Sequence, residues 1–321
     1  MQVSAVEVIP LSYPINQDEV STNGKRLSLA IGFFDGVHRG HQNVIRQAVN
    51  HAKESDMRSA VLTFSPHPKE VLGHGEQYYS CLTPLTHKTE LFEAIGVETV
   101  YVMKFDLAFA SLSPTQFVDE VLRPLGVGHA VVGFDFTFGS RGSGNAEMLR
   151  ELGGSEMTVH IEEPLFEDGL KVSSTLIRES LEKGDLARAN SLLGRPYEVI
   201  GTVVHGDGRG RTIGFPTANL GLQEPYVTPR LGVYTITASV DGEQAGGVLN
   251  HGMKPTFNKT EVVPVMEAHL FDFDRDIYDK EIRVQFQSFI RPEQKFSSVA
   301  DLIAQIAADS DRARKWLAER Q

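Results

Sequence analysis

Residues 32 to 41 read Gly32-Phe33-Phe34-Asp35-Gly36-Val37-His38-Arg39-Gly40-His41, and the fold of the N-terminal half turns on this stretch. The apolar run Leu27 to Phe34 reads as a strand. Val44, Ile45, Ala48, Val49 and Ala52 then recur at i, i+1, i+4, i+5 and i+8, which lays one apolar stripe along a helix beginning near His41. Two histidines therefore fall at a helix N-terminus directly after a strand. Unpaired amides and the positive end of the helix dipole attract anions there, and glycines at 36 and 40 let a phosphate approach the backbone. A zinc pair would require His-x-x-x-His spacing and a third ligand, and no cysteine or acidic cluster completes such a set. A solvated Gly-rich turn leaves the order of strand, glycines, imidazoles and helix unexplained. Binding of a nucleoside triphosphate requires that order.

The segment resembles the His-x-x-His signature of the nucleotidylyltransferase superfamily, in the form found in the adenylyltransferase module of bacterial bifunctional riboflavin kinase/FAD synthetases. Three further blocks are similar to that family, in the same order: Thr63-Phe64-Ser65-Pro66-His67-Pro68, Val132-Gly133-Phe134-Asp135-Phe136 with Phe138-Gly139, and Ser173-Ser174-Thr175-Leu176-Ile177-Arg178. The resemblance implies that His38, His41 and Arg178 are catalytic. It implies ATP contacts from Gly32, Phe33, Asp35, Gly36, Gly40, Ser174 and Thr175, and flavin contacts from Phe64, His67, Pro68 and Asp135. Adenylyl transfer needs little covalent work from the protein, so positioning and charge stabilisation carry it: imidazoles donate to phosphate oxygens and an arginine clamps the β- and γ-phosphates.

A chain of 321 residues is about two domains long, and 41% apolar with 23% charged residues is ordinary for a globular protein. The formal charge of −11 opposes attraction to nucleic acid or anionic membrane, so neither is expected as a partner. Cys81 is the only cysteine and permits no internal disulfide, and Met1 to Pro14 has neither a basic nor a continuous apolar segment of a leader. A cytoplasmic protein, monomeric or weakly homo-oligomeric, is the expectation.

Up to residue 186 strand and helix patterns alternate. Ala60 to Phe64, Thr99 to Met103, Ala130 to Gly133 and Met157 to Ile161 are strand candidates, and Ser113-Pro114-Thr115-Gln116 carries a capping box with proline at the first helical position. The pattern predicts a Rossmann-like α/β domain, a parallel sheet covered on both faces with ligands at the carboxyl ends of its strands. A helix over Asp185 to Leu193 forms the joint. Beyond it, Tyr197 to Val204, Gly232 to Val240, Ala245 to Leu249, Val265 to Phe271 and Ile282 to Phe289 read as strands, with Asp241-Gly242 as a hairpin turn. This predicts a small antiparallel β-barrel. A C-terminal helix follows, with Ser298 and Asp301 as a capping box and Leu302, Ile303 and Ile306 on its apolar face. The expected domains are 1–186, the adenylyltransferase, and 187–321, the kinase.

Residues 206 to 219 read Gly-Asp-Gly-Arg-Gly-Arg-Thr-Ile-Gly-Phe-Pro-Thr-Ala-Asn. The spacing is neither that of a P-loop nor that of a dinucleotide fingerprint. Glycine density of this kind fits a surface hairpin or a loop whose amides wrap a polyphosphate; in the second case Gly206, Gly208 and Gly214 line ATP while Thr217 and Asn219 offer neutral oxygens to a Mg²⁺ ion. Pro216-Thr217-Ala218-Asn219 resembles the riboflavin kinase signature, which favours the second reading. By the same resemblance Glu267 is the carboxylate that takes the proton of the attacking hydroxyl, and Arg291 in Arg291-Pro292-Glu293 contacts flavin or phosphate. Asn250 to Phe257 also matches, whereas Asp279 stands where the family pattern calls for glycine. The resemblance thus implies a bifunctional enzyme that phosphorylates riboflavin to FMN and adenylylates FMN to FAD, with ATP as co-substrate and Mg²⁺ as cofactor. A nucleotidylyltransferase for another phosphate would leave residues 206–219 and Glu267 unexplained, and a flavin-binding regulator would need neither transfer constellation.

Overall fold

Alternate side chains of strand β2 (Leu27–Ile31) enter two different cores, and all five residues are buried. Leu27, Leu29 and Ile31 join a cluster with Phe109, Phe117, Leu122 and Leu149. Ala30 joins the opposite cluster with Val44, Ile45, Ala48, Val49 and Phe92. A strand covered on both faces must read as a continuous apolar run, which is why this one was plain in the sequence. In the computed structural model, the described residues are 5–16, 20, 24–73, 75, 78–206, 208–255 and 262–320. Asp207, Thr256 and Phe257 of the quoted motifs, and Met1 to Ser4 of the N-terminus, lie outside them.

With β1 (Glu7–Leu11), β3 (Arg58–Ser65), β4 (Thr99–Lys104), β5 (Val127–Gly133) and β6 (Thr158–Glu162), β2 forms a six-stranded sheet in the order β1-β4-β3-β2-β5-β6. Every pairing is parallel. Chain order reverses at β2, so the crevice beyond its carboxyl end is the place where open α/β sheets bind ligands. Edge strand β1 escaped the sequence reading; Pro10 and two exposed residues disguise it, and a proline is tolerated at an edge. The expected capping box at Ser113 is present, with Gln116 reaching back, and its helix Pro114–Phe117 runs on as a π-turn over Val118–Leu122.

Strand β2 stops at Ile31 and not at Phe34, because Phe34 and Val37 adopt left-handed φ of 55° and 43° and turn the chain. Helix α1 (Arg39–Glu54) accordingly starts two residues before His41, with His38 as its cap.

The second half closes into a six-stranded barrel of β7 (Tyr197–Val204), β8 (Ala218–Leu222), β9 (Gly232–Val240), β10 (Glu243–Pro255), β11 (Val262–Leu270) and β12 (Glu281–Arg291), in the order β7-β8-β11-β10-β9-β12. All pairings are antiparallel. Asp241 and Gly242 take the positive φ of the hairpin turn predicted there. Strand β8 was missed because it begins at the end of the Gly-rich motif and carries Asn219 and Gly221, which are poor strand formers. Helix Val299–Ala318 is capped by Ser298, which accepts from the Asp301 amide; the box is only half formed, since the Asp301 carboxylate takes the Ser297 hydroxyl instead. Asp279 holds φ of 60° and donates its N–H to Val203 O at 2.9 Å, so the turn expected from glycine forms with aspartate.

Contacts divide the chain into units Met1–Ser174 and Thr175–Gln321, earlier than the boundary expected at 186/187. Helices Ser174–Lys183 and Leu186–Leu193 account for the difference, because both pack on the barrel. The Arg230 amide donates to Leu181 O, and Asn190 bridges Phe286 O and the Tyr197 amide.

Candidate active sites

In the first unit the site grows from the turn between β2 and α1. The His38 Nδ1 accepts the His41 amide at 3.2 Å, so His38 satisfies one of the free N–H groups of the helix and keeps Nε2 as its donor. The His41 ring stacks on it with centroids 3.5 Å apart and planes 20° apart. Phe34 meets His41 edge-on. Burial pushes the His41 imidazole well below its ordinary pKa, and the charges of His38, Lys88 and Lys171 push in the same direction. Its buried Nδ1 has no protein partner among the described residues. The neutral His41 and the Nε2 of His38, at a helix start, are donors for anionic oxygens.

The glycines serve the rings as well as any ligand. A Cβ at Gly32 would lie 2.9 Å from the Phe34 ring, and one at Gly40 would lie 3.2 Å from the His38 ring. Gly36 holds φ of 85°. Asp35, 4% exposed, accepts the amides of Leu82 and Thr83, and its main-chain oxygen accepts the Ser174 hydroxyl at 2.9 Å. Ser174 is thereby joined to the histidine turn. Thr175 and Arg178 belong to the second unit, on helix Ser174–Lys183.

The residues assigned to flavin separate into three places. His67 caps the short helix Pro68–Val71 that follows the cis Ser65–Pro66 bond, and its ring lies between those of Phe33 and Tyr78. Phe64 packs instead with Phe105 and Phe109 against the core. Asp135 is exposed and pairs with Lys171 at 2.5 Å, while the same ammonium stands over the Phe134 ring.

In the barrel, register does the assembling. Asn219 of β8 and Asn250 of β10 are the cross-strand partners of Glu267 on β11, so three polar side chains share one rung. Glu267 also receives Lys254 at 3.5 Å. Glu267, Asn219, Asn250 and Thr217 line a cavity of about 390 Å³ whose far wall includes Phe296, Leu302 and Ile306 of the C-terminal segment. Arg291 lines it too, but its guanidinium is held by Asp309 at 2.8 and 2.9 Å. Arg291 therefore fastens the C-terminal helix to the barrel. Gly208, Gly210, Ile213 and Phe215 of the Gly-rich segment line this first cavity, and a second of about 440 Å³ lies against the same segment at Arg211 and Pro216 to Ala218, facing Phe273 to Tyr278. Thr217 lines both.

Backbone without side chains makes room here. A Cβ on Gly206 would lie 2.2 Å from Asn219 Nδ2, and one on Gly210 would lie 2.3 Å from Phe215 O and 3.2 Å from Thr217 Oγ1. Gly214 has φ of 87°, and His269 donates from Nδ1 to Pro216 O at 2.8 Å, which pins the end of the loop. Neutral oxygens in an open cradle suit Mg²⁺, which prefers a few hard donors and completes its shell with water and phosphate.

A family model described as FAD synthetase matches residues 20–176, and one described as riboflavin kinase matches residues 193–317. The bifunctional riboflavin kinase/FMN adenylyltransferase of Bacillus subtilis is 45% identical, across 90% of this chain and 92% of its own. That of Listeria monocytogenes is 42% identical across 98% and 99%. The chain belongs to the bifunctional riboflavin kinase/FMN adenylyltransferase family. Its whole architecture recurs, with a TM-score of 0.86 and 33% identity over 96% of this chain and 99% of the other, in a structure described as a macrolide-efflux protein from Streptococcus pneumoniae. Among the described residues here, no helix is long and apolar enough to cross a membrane.

Three residues of this bifunctional transferase were not foreseen. In the adenylyltransferase module Lys88 is buried beneath the histidine turn, and Lys171 is placed to act on His41 and Asp135. In the kinase module Lys254 reaches Glu267. Lys88 and Lys171 lie in no quoted motif, Lys254 lies unremarked within the matched block Asn250 to Phe257, and the fold brings them to the sites. A lysine at the fourth position of helix Leu85–Ile95, where apolar residues face inward, was the one available signal.

Proposed function

We propose that the two transfers run at two separate sites, FAD formation at the carboxyl end of β2 and FMN formation in the barrel, each with its own ATP. The enzyme phosphorylates riboflavin to FMN and then adenylylates FMN to FAD, releasing pyrophosphate. One observation carries the division: His38 and His41 stack in the first unit, whereas Thr217, Asn219 and Glu267 line one cavity in the second.

At the first site a phosphate oxygen of FMN attacks the α-phosphorus of ATP in line. A P–O bond forms as the bond to the β-phosphate bridging oxygen breaks, and pyrophosphate leaves with both electrons. His38 through Nε2 and the neutral His41 donate to the oxygens on which charge builds, at a helix start that already favours anions. Arg178 clamps the β- and γ-phosphates, with Ser174 and Thr175 beside it. Gly32, Phe33, Asp35, Gly36 and Gly40 shape the turn around the nucleotide. Phe64, His67, Pro68 and Asp135 contact FMN.

At the second site the terminal ribityl hydroxyl attacks the γ-phosphorus while Glu267 takes its proton and ADP departs. The cavity that holds Glu267, with its apolar wall, is the flavin side. The second cavity against the Gly-rich segment is the nucleotide side, and Thr217, common to both linings, marks where hydroxyl and phosphate meet. Thr217 and Asn219 would hold Mg²⁺, which neutralises phosphate charge when bound with ATP. Gly206, Gly208 and Gly214 let the loop follow the phosphates, and Arg291 keeps the apolar wall in place over the flavin. We assign residues 1–186 to the adenylyltransferase and 187–321 to the kinase. Use of ATP in both steps supports a cytoplasmic location, and the net charge of −11 supports the absence of a nucleic-acid partner. A monomer or weak homo-oligomer is the assembly we propose.

Glu267→Gln should stop FMN formation from riboflavin yet leave conversion of supplied FMN to FAD, and a double alanine change at His38 and His41 should do the reverse. Chromatography of flavins after incubation with ATP and Mg²⁺ reads both. Loss of both activities from either folded variant would refute the division.

A further inference from the structure

Lys88 is 2% exposed, and its ammonium has a single hydrogen-bond acceptor, Phe33 O at 2.8 Å. No carboxylate forms an ion pair with it among the described residues. A buried cation without a paired anion is costly to keep, and structures retain one where its charge or its grip is used. What Lys88 grips is the beginning of the histidine turn. Phe33 O also accepts the hydroxyl of the fully buried Thr63 at 3.1 Å, and the Phe33 ring lies between the Lys88 ammonium, 3.9 Å from its centroid, and the His67 ring at 4.0 Å. Two residues on, Asp35 Oδ1 takes the amides of Leu82 and Thr83, just before the helix that carries Lys88. The turn is therefore bolted to segment 82–88 from both sides, by a cation at Phe33 and by an anion at Asp35.

We propose that Lys88 is a positioning residue for adenylyl transfer, one that fixes the carbonyl and ring of Phe33 so that the turn Gly32–His41 is already in the shape that receives the triphosphate. This rests on the reading that ATP binds at that turn. The groups that act on Lys88 are Asp35 and Cys81, which favour its charge, against burial, which opposes it. Those that act on His41 are His38, Lys88 and Lys171, all of one sign. Lys88 thus has a second effect: its charge adds to burial and to His38 in keeping His41 an uncharged donor.

The test uses the full-length enzyme with Lys88→Met, Lys88→Gln and Lys88→Arg, with riboflavin kinase activity and a thermal melt as controls for folding. In Lys88→Met, kcat/KM for ATP in FAD formation should fall about 10²-fold, the loss expected when reacting groups are displaced by about 1 Å. Lys88→Arg, which keeps charge and donor, should recover more of it than Lys88→Gln, which keeps only the donor. The His41 ring resonances should titrate at higher pH in Lys88→Met and Lys88→Gln than in the wild type and in Lys88→Arg, which keeps the charge. If Lys88→Met does not fold, the Gln and Arg variants decide by the same readouts. Activity within about twofold of wild type in folded Lys88→Met or Lys88→Gln, or equal losses in all variants, would overturn the proposal. Failure of the underlying reading looks different: the His38/His41 double variant would then still make FAD.

Discussion

The two loops to which we assign phosphate handling are built in opposite ways. The turn Gly32–His41 is buried and made of side chains: Phe34 and Val37 are forced into left-handed backbone, His38 caps the helix, and Asp35, Thr63 and Lys88 hold the main chain. The barrel's Gly-rich loop, by contrast, is largely exposed and made of backbone, with glycines 206 and 210 standing where any side chain would strike Asn219 or Phe215. Each construction suits the chemistry we propose for it. Attack at the innermost phosphorus of ATP must be met by fixed donors on several oxygens at once, which a braced turn supplies. Phosphorylation of an alcohol at the outermost phosphorus needs a base and a cation site, and Glu267, Thr217 and Asn219 stand on the barrel while the loop follows the nucleotide.

This contrast can be broken by substitution. Glu267→Gln removes the only carboxylate on its rung and should lower FMN formation by about 10²–10⁴-fold, the usual weight of a general base, with FAD formation from FMN intact. The double alanine variant of His38 and His41 should lower FAD formation by about 10²–10³-fold, the weight of lost charge-stabilising donors, with the kinase intact. Gly206→Ala tests the backbone-built loop. Its new methyl group meets the Asn219 amide, so the kinase should fall by about 10²-fold without loss of fold, measured as initial rates of FMN formation.

Acid should separate the units by stability. His129 is 8% exposed, stacked on His51 at 3.6 Å and bonded to Thr158, and burial with the charges of His51 and His160 lowers its pKa from 6.5 to about 4. The folded state resists the proton that the unfolded chain accepts. Stability held by neutral His129 is therefore complete above pH 6.5, declines as pH falls, and is gone near pH 4, a loss of up to about 3 kcal/mol. His41 in the same unit and His251 in the barrel are shifted in the same direction. Denaturant melts between pH 7 and pH 4 should show the first unit weakening more, and His129→Gln should flatten its dependence. The smallest expected effect is at Asp279, whose φ of 60° glycine adopts freely: Asp279→Gly should stabilise the barrel by about 0.5–1 kcal/mol in the same melts.

Much of this was legible in the sequence because periodicity and motif agreed. Val44, Ile45, Ala48, Val49 and Ala52 are the buried face of α1, as their spacing required. The capping box at Ser113, the Asp241-Gly242 turn and the strands Tyr197–Val204 and Gly232–Val240 were read with their observed limits. Strand β8 was hidden because Asn219 and Gly221 suppress the strand signal where ligand residues are needed. The end of β2 was misplaced because Phe33 and Phe34 look like strand and instead turn. The pairing of Arg291 with Asp309 was not legible, because Asp309 lies eighteen residues away on another element with no local pattern to announce it. Lys88 was invisible for the same reason. Sequence order shows which residues belong to one motif, but the bracing of a motif comes from elsewhere in the fold.

The most direct test of two independent sites is complementation in one tube. Chains carrying Glu267→Gln and chains carrying the His38/His41 double alanine change are mixed in equal amounts with riboflavin, ATP and Mg²⁺, and FAD is followed by chromatography. Neither variant alone should convert riboflavin to FAD, whereas the mixture should, with FMN made by one chain and consumed by the other. A mixture that makes no FAD, although its first chain still converts supplied FMN and its second still makes FMN, would contradict two sites joined only by a diffusing intermediate.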